Sequence, residues 1–291
     1  MNIIDELKQR FKKGSVMTRL IYINAGIFII VNLINLICFL FSLPNLKLVT
    51  FLAVPADVNE LIYRPWTIIT YMFLHQDFFH ILFNMLWFFW FAKIFLDYLD
   101  AKRLLATYVL GGIAGAVFFI AAFNFFPVFK PYINQSVAMG ASASVIAVVT
   151  AISFYVPNLT LNLLFIGPVK LKWIAIATIA IDILSISAGN PGGHIAHLGG
   201  AFWGFLFITQ YKKGTDFSKW FIKLYDAITG LFSYKPRIKV KHKKPVSDMD
   251  YNYQKVKDQE HINLILDKIS KNGYSALTKE EKEILFKASN K

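Results

Sequence analysis

The chain has 291 residues, of which 56% are hydrophobic, and its mean hydropathy is +0.48. A soluble domain of this size lacks the interior to bury so much apolar surface, whereas lipid can solvate it directly. The composition therefore excludes an ordinary soluble enzyme and indicates an integral membrane protein.

The formal net charge of +13 is unevenly distributed, because more than half of the Lys and Arg residues lie from Lys212 onward. The remaining basic residues flank apolar segments, which is typical of membrane topology and of contact with lipid headgroups rather than of nucleic-acid binding. We expect no nucleic-acid partner. The single cysteine, Cys38, excludes an intrachain disulfide.

Apolar segments of near membrane length predict six spanning helices. They cover residues 20–43, 78–97, 104–127, 142–156, 172–188 and 196–211. Basic residues precede the first segment and follow the second, fourth and sixth, which predicts that both termini are cytoplasmic. The first 19 residues are polar and no cleavage pattern follows, so the first span is expected to remain as a signal anchor.

The expected fold class is an all-α membrane protein, a bundle of six transmembrane helices with a small cytoplasmic helical tail. The predicted parts are a cytoplasmic N-terminal segment (1–19), the membrane domain (20–211), a basic juxtamembrane segment and linker (212–258) and a small helical segment (259–291). Gly273 is expected to end the first helix of the tail. Thr278 and Glu281 form a capping-box pattern that begins the second.

Polar residues inside apolar spans are costly and tend to mark function. His80 and Asn84 lie in the second span, Ser142 begins the fourth and His197 lies in the sixth. Counting about 1.5 Å per residue from the inner ends places all three positions roughly 6–10 Å below the outer surface. Each residue alone could be a packing group, but the common depth and complementary chemistry favour one site.

These residues supply the groups needed for acyl transfer. Ser142 follows Gly140 at a helix start, where unpaired N–H groups suit a developing oxyanion. His197 is the candidate base that would take the serine proton. His80 and Asn84 are four residues apart, share one helix face and can both donate hydrogen bonds to that oxyanion.

Two further residues leave alternatives open. Asp182 in the fifth span is expected to lie somewhat deeper than the site, as a protonated or paired packing residue; the alternative is a third catalytic member that orients His197. His194 and His197 form an HxxH pattern that could hold zinc. The preceding Pro-Gly-Gly places His194 in a loop, so no metal is expected. His75 is interpreted as structural, at the loop–helix junction and directed away from His80.

The segments HQDFFHILFNM, GASA around Ser142 and AHLGGAFWG together resemble the rhomboid family of intramembrane serine proteases. The resemblance covers residues 15–215 and includes the order of the three motifs. It implies a six-helix core, a Ser142–His197 dyad without an acid, and oxyanion stabilisation by His80, Asn84 and the serine backbone. It also implies no cofactor, and single-pass membrane proteins as substrates.

The chain departs from the family pattern at three places without losing a reacting group. Ala143 stands where the family usually has Gly, Ile146 where many members have an aromatic residue, and Thr67 where the family has Arg. Gly200 and Gly204 form a GxxxG pattern that is expected to pack the sixth span tightly, against the fourth.

The sequence thus predicts an intramembrane serine endopeptidase that hydrolyses peptide bonds in or near transmembrane segments, located in a bacterial inner membrane. The alternative is a non-catalytic rhomboid-like protein that binds transmembrane helices. A proton or ion transporter is disfavoured, because the polar groups form no path across the bilayer. Membrane lipids are expected partners of the basic tail, and the sequence leaves the oligomeric state open.

Overall fold

The computed structural model describes residues 2–44, 46–164, 166–232 and 248–289. They divide into two compact units, Met1–Ser233 and Tyr234–Lys291. Residues 233–247 of the predicted linker lie outside the described residues.

The described residues are mostly helical. The α-helices are α1 (Ile3–Lys13), α2 (Val16–Leu40), α3 (Leu48–Leu52), α4 (Val58–Tyr63), α5 (Thr67–Thr70), α6 (Phe78–Tyr98), α7 (Ala101–Phe125), α8 (Ser142–Tyr155), α9 (Leu171–Ser185), α10 (Pro191–Lys212), α11 (Lys219–Phe232), α12 (Asp248–Asn272) and α13 (Lys279–Ser289). Short 3-10 helices cover Tyr71–Phe73, Pro127–Gln135 and Tyr274–Ala276, and the strands are β1 (Val54–Pro55), β2 (Val137–Ala138), β3 (Thr160–Leu163) and β4 (Gly167–Lys170).

A helix occupies each of the six predicted spans, namely α2, α6, α7, α8, α9 and α10. Among the described residues, α2, α6 and α7 are long and apolar enough to cross a membrane, and α8 is apolar but shorter. A helical membrane protein is therefore confirmed. Length and composition alone do not identify α8, α9 and α10 as membrane spans. Helices α8 and α9 have only 14 and 15 residues, and α10 contains several glycines and two histidines.

The core is built around α8, which lies between glycine-bearing faces of α7 and α10. A Cβ atom added to Gly200 or Gly204 of α10 would lie 2.1 Å from the carbonyl oxygen of Ala143 and 2.3 Å from that of Ala147, respectively. On the other side, a Cβ atom added to Gly111 of α7 would lie 2.2 Å from the Cβ atom of Ala147. Such approaches need residues without side chains. The sequence singled out the glycines of the sixth span but not those of the third.

We expect Gly204→Ala to destabilise the protein and Gly26→Ala to leave its stability unchanged or raised. A Cβ atom at Gly204 meets backbone, which cannot rotate away, and overpacking of this kind costs about 1–3 kcal/mol. Gly26 lies in α2 with no atom within 4 Å of the added Cβ atom. Thermal unfolding of both variants in detergent tests this, and equal Tm values would contradict it.

The segment between α2 and α6 carries structure of its own. Strand β1 pairs antiparallel with β2, which comes shortly before α8. The backbone N–H of Gly140 donates to the carbonyl of Tyr71 at 2.9 Å. Trp66 donates from Nε1 to the carbonyl of Phe51 at 3.0 Å, and the two rings are in contact. These contacts fix the chain that leads into Ser142.

A hairpin and a helix later in the first unit were also not predicted. Strands β3 and β4 form an antiparallel hairpin between α8 and α9. Helix α11 lies in the stretch interpreted as a basic juxtamembrane segment, and its Asp226 pairs with Lys102 of α7 at 2.6 Å. Beside it, Arg103 pairs with Asp216 at 2.7 Å. These ion pairs hold the segment that follows α10 against the beginning of α7.

The second unit is a helical pair, as predicted, but its first helix begins earlier. Helix α12 begins at Asp248, so residues 248–258 are helical rather than part of a linker. They lack an apolar stripe, but they also lack Pro and Gly, and their Met, Gln and Lys residues favour a helix. Gly273, at φ +74°, follows the end of α12. The Thr278 and Glu281 side chains accept from each other's backbone N–H at 3.3 and 2.7 Å, which confirms the capping box.

Candidate active site

Ser142 is the first residue of α8, and the chain before it has a conformation that suits glycine. Gly140 has φ +131°, a region that L side chains rarely adopt. A Cβ atom at Gly140 would lie 3.0 Å from Nε2 of His80 and 3.5 Å from Oγ of Ser142. Gly140 therefore allows the His80 ring to approach the serine. The first N–H groups of α8 have no partner within the helix and can serve an anion.

Helix α6 positions His80 and Asn84. Asp77 caps the helix by accepting the backbone N–H of His80 at 2.8 Å. Asn84 is buried, and its side-chain amide donates to the carbonyl of His80 one turn earlier, at 2.9 Å. One amide hydrogen of Asn84 remains after that contact. Both side chains line the same cavity as Ser142.

His197 lies on α10, and its Nδ1 atom is 2.8 Å from Oδ1 of Asp182 on α9. Nδ1 of His194 lies 2.8 Å from the same oxygen. A carboxylate only accepts hydrogen bonds, so each histidine donates from Nδ1. A neutral imidazole then carries a lone pair on Nε2. Asp182 thus gives His197 the tautomer that a general base needs.

The expectation that Asp182 lies deeper than the site was wrong. The rise count took Lys172 as the inner boundary of this helix, whereas a hydrogen-bonded hairpin precedes α9. The direct contact shows that Asp182 lies level with His197. Of the two interpretations of Asp182, the contact with Nδ1 of His197 fits the alternative, a residue that orients the candidate base.

The placement of His194 in a loop was also wrong, because α10 begins at Pro191. Asn190 caps the helix by accepting the N–H of Gly193 at 3.1 Å, and proline is favoured at the first helical position. The Asn-Pro pair was the signal in the sequence that could have placed His194 on the helix, one turn before His197.

The candidate residues surround one cavity of about 950 Å³. Its polar lining consists mainly of Asp77, His80, Asn84, Ser142, Thr178, Asp182, Asn190 and His197. The other walls are apolar and come from α6, α8, α9 and the β3–β4 hairpin. Ile146 stands where many members of the rhomboid family, which this chain resembles, have an aromatic residue; it is buried and lies in this apolar wall. The arrangement brings a hydroxyl, a base and hydrogen-bond donors to one apolar space.

His75 precedes α6, which begins at Phe78, so helical spacing does not direct its side chain away from that of His80. The two rings are in edge-to-face contact with their centroids 5.1 Å apart. His75 is buried, and neither ring nitrogen has a hydrogen-bond partner among the described residues. Burial, with a contribution from His80, lowers the pKa of His75 to about 4. His75 therefore supports the His80 ring as a neutral packing group.

We expect the protein to lose stability as the pH falls from 7 to 5. The folded state holds His75 neutral down to a pKa of about 4, whereas the unfolded chain takes up a proton near pH 6.5, so lowering the pH favours unfolding. This group contributes a loss of about 2 kcal/mol at pH 5. Tm measured across this range should fall less steeply for His75→Leu; identical slopes would contradict the assignment.

The family model of the rhomboid domain matches residues 63–213, slightly more than half of the chain. The chain belongs to the rhomboid family. The matched residues contain every group of the candidate site, from His80 to His197, and Asp182 with His194. A second family model, a family of unknown function (DUF6576), matches residues 247–291 and coincides with the helical pair of the rhomboid chain's second unit.

One curated relative of this rhomboid chain is "RHOMBOID-like protein 12, mitochondrial" from Arabidopsis thaliana. It is 29% identical over an alignment of 219 residues, and the alignment covers 71% of this chain and 61% of the relative. The chain thus spans less than two thirds of the relative's length. A membrane-embedded protein agrees with both comparisons. The mitochondrial location in the relative's name does not fit the bacterial inner membrane expected from the sequence.

Proposed function

We propose that this rhomboid is an intramembrane serine endopeptidase. The observation that carries the proposal is the convergence of Ser142, His80 and Asn84 on one apolar cavity with His197, whose Nδ1 is held by a carboxylate. Polar groups buried in a membrane helix bundle are costly. This set also has complementary roles in a single reaction, which interhelical packing does not require.

The proposed reaction begins with attack of Ser142 Oγ on a substrate carbonyl carbon, while Nε2 of His197 takes the hydroxyl proton. The oxygen of the tetrahedral intermediate accepts hydrogen bonds from His80, Asn84 and the backbone N–H groups at the start of α8. His197 then gives its proton to the leaving amine as the peptide bond breaks. Water attacks the acyl-enzyme by the same route and restores Ser142.

The substrates we propose are transmembrane proteins, cut in or near their membrane segments. Apart from the polar side chains given above, the cavity walls are apolar, so they suit an apolar segment. We further propose that α8, α9 and α10 cross the membrane together with α2, α6 and α7. Helix α8 is short, but α7 and α10 enclose it, and neighbouring helices make short spans tolerable.

In the proposed topology both termini lie on the cytoplasmic side, since basic residues concentrate at the inner ends of the helices and in the tail. The lysines that follow α10 would then meet anionic headgroups of the inner leaflet.

The proposal is tested by labelling the purified protein in detergent with a fluorophosphonate probe, which reacts with activated serines. The wild type should be labelled and Ser142→Ala should not, although both remain folded by circular dichroism. Ser144→Ala is the matched control, because Ser144 is fully buried in the same helix and should be dispensable for labelling. Absence of labelling in folded wild type would favour a non-catalytic protein that binds transmembrane helices.

A further inference from the structure

Asp182 contacts two histidines, His194 and His197, whereas the orientation of His197 requires only one histidine–carboxylate pair. Their ligand atoms, two Nδ1 atoms and a carboxylate oxygen, all lie within 4.8 Å of one another. The Asp182 side chain is only 7% exposed. Its second oxygen, Oδ2, is buried without a hydrogen-bond partner among the described residues. One of the two carboxylate oxygens is therefore free to act as a ligand.

This set matches the preferences of zinc. Zn²⁺ in proteins takes imidazole nitrogen and carboxylate oxygen at about 2.0–2.2 Å, and sites with three protein ligands keep a fourth position for water. Two ligands three residues apart on one helix, with a third from a neighbouring helix, are an established arrangement for metal sites between packed helices. The cavity reaches Asp182 and His197, so an ion and its water have a route to the ligands.

We infer that Asp182, His194 and His197 form a zinc site whose occupation switches the catalytic histidine off. The expectation of no metal rested on placing His194 in a loop. With His194 on α10, the histidines occupy successive turns and both face Asp182.

The inhibitory step follows from proton positions, and this part rests on the proposed function. Zinc at Nδ1 of His197 needs the lone pair there, so the single proton of the neutral ring moves from Nδ1 to Nε2 through solvent. The proton of the His194 ring moves to its own Nε2 in the same way. Nε2 of His197 then has no lone pair to accept the proton of Ser142. No net proton is released at His197, and the zinc ion exchanges bound water for protein ligands. Removing the ion returns the proton to Nδ1, where Asp182 accepts its hydrogen bond.

Zinc binding is measured first, independently of activity, by titrating ZnCl₂ into full-length, EDTA-treated, tag-free protein in an isothermal titration calorimeter. We expect one ion per chain and no binding of Mg²⁺, which prefers oxygen ligands. His194→Ala should weaken zinc binding on the order of 100-fold or more, because even changes around metal ligands cost 10–100-fold in affinity. His261→Ala, a change at an exposed histidine of α12, is the matched control and should bind as the wild type does.

Fluorophosphonate labelling is then compared with and without saturating zinc. The ratio of the two rates should fall well below one for the wild type, return to one with EDTA, and stay at one for His194→Ala. Absence of a stoichiometric site, or equal zinc affinity of His194→Ala and wild type, would overturn the inference. Zinc binding without any labelling would instead keep the metal site and reject the proposed protease function.

Discussion

Ser142→Ala and His197→Ala are each expected to lower kcat/KM for a membrane-inserted substrate by about 10⁴-fold or more. In the proposed reaction the hydroxyl attacks and the imidazole takes its proton, so neither group acts without the other. The double variant should therefore be no slower than the slower single variant. Cleavage of a fluorescent transmembrane substrate in proteoliposomes measures all three rates.

The control for this comparison is Ser153→Ala, at a buried serine about three turns further along α8. It should keep the wild-type rate if the fold is preserved. Additive losses in the double variant would contradict the coupled roles of the two residues. Retention of activity in Ser142→Ala would place the nucleophile elsewhere.

Asp182→Asn is expected to lower kcat/KM by about 10³–10⁴-fold with little change in KM. An amide can donate to Nδ1 of His197, which would place the ring proton on Nε2 and remove the lone pair that is proposed to take the serine proton. The geometry of the site would remain while its tautomer changed. Steady-state kinetics in proteoliposomes separate kcat from KM.

Asp182→Glu should recover part of the activity, because it keeps a carboxylate acceptor, and His194→Gln should lose far less than Asp182→Asn. A purely structural aspartate gives a different pattern: Asp182→Asn and Asp182→Glu would lower stability together, and the rate per folded molecule would be unchanged. That outcome would return Asp182 to the role of a packing residue.

The helices and the serine position could be predicted from the sequence because apolar length and small-residue patterns are local properties. Ser142 follows Gly140 and Ala141 and begins α8, as expected. The partnership of Asp182 with His197 was not predictable in the same way. It depends on how α9 and α10 align along their lengths, which is a tertiary contact between separate helices. Linear counting along a helix does not contain this information.

The segments outside the spans were predicted less well, for a related reason. Strands β1 and β2 are two residues each and pair across more than 80 positions of sequence, so no local pattern marks them. Helix α11 was not predicted, because residues 212–258 were interpreted as a whole from their many lysines. The N-terminal part of α12 lacks the apolar stripe by which its second half was found.

The glycine contacts of α8 have a consequence for the precision of the reaction. Gly200 lies one turn after His197 on α10, and it rests on the carbonyl of Ala143, the residue next to Ser142. The spacing between α10 and α8, which carry the proposed base and nucleophile, is therefore set by main chain against main chain. Main chain has no rotamers, so this contact does not depend on the conformations of neighbouring side chains. These main-chain contacts hold α10 against α8 in a solvent of mobile lipid chains.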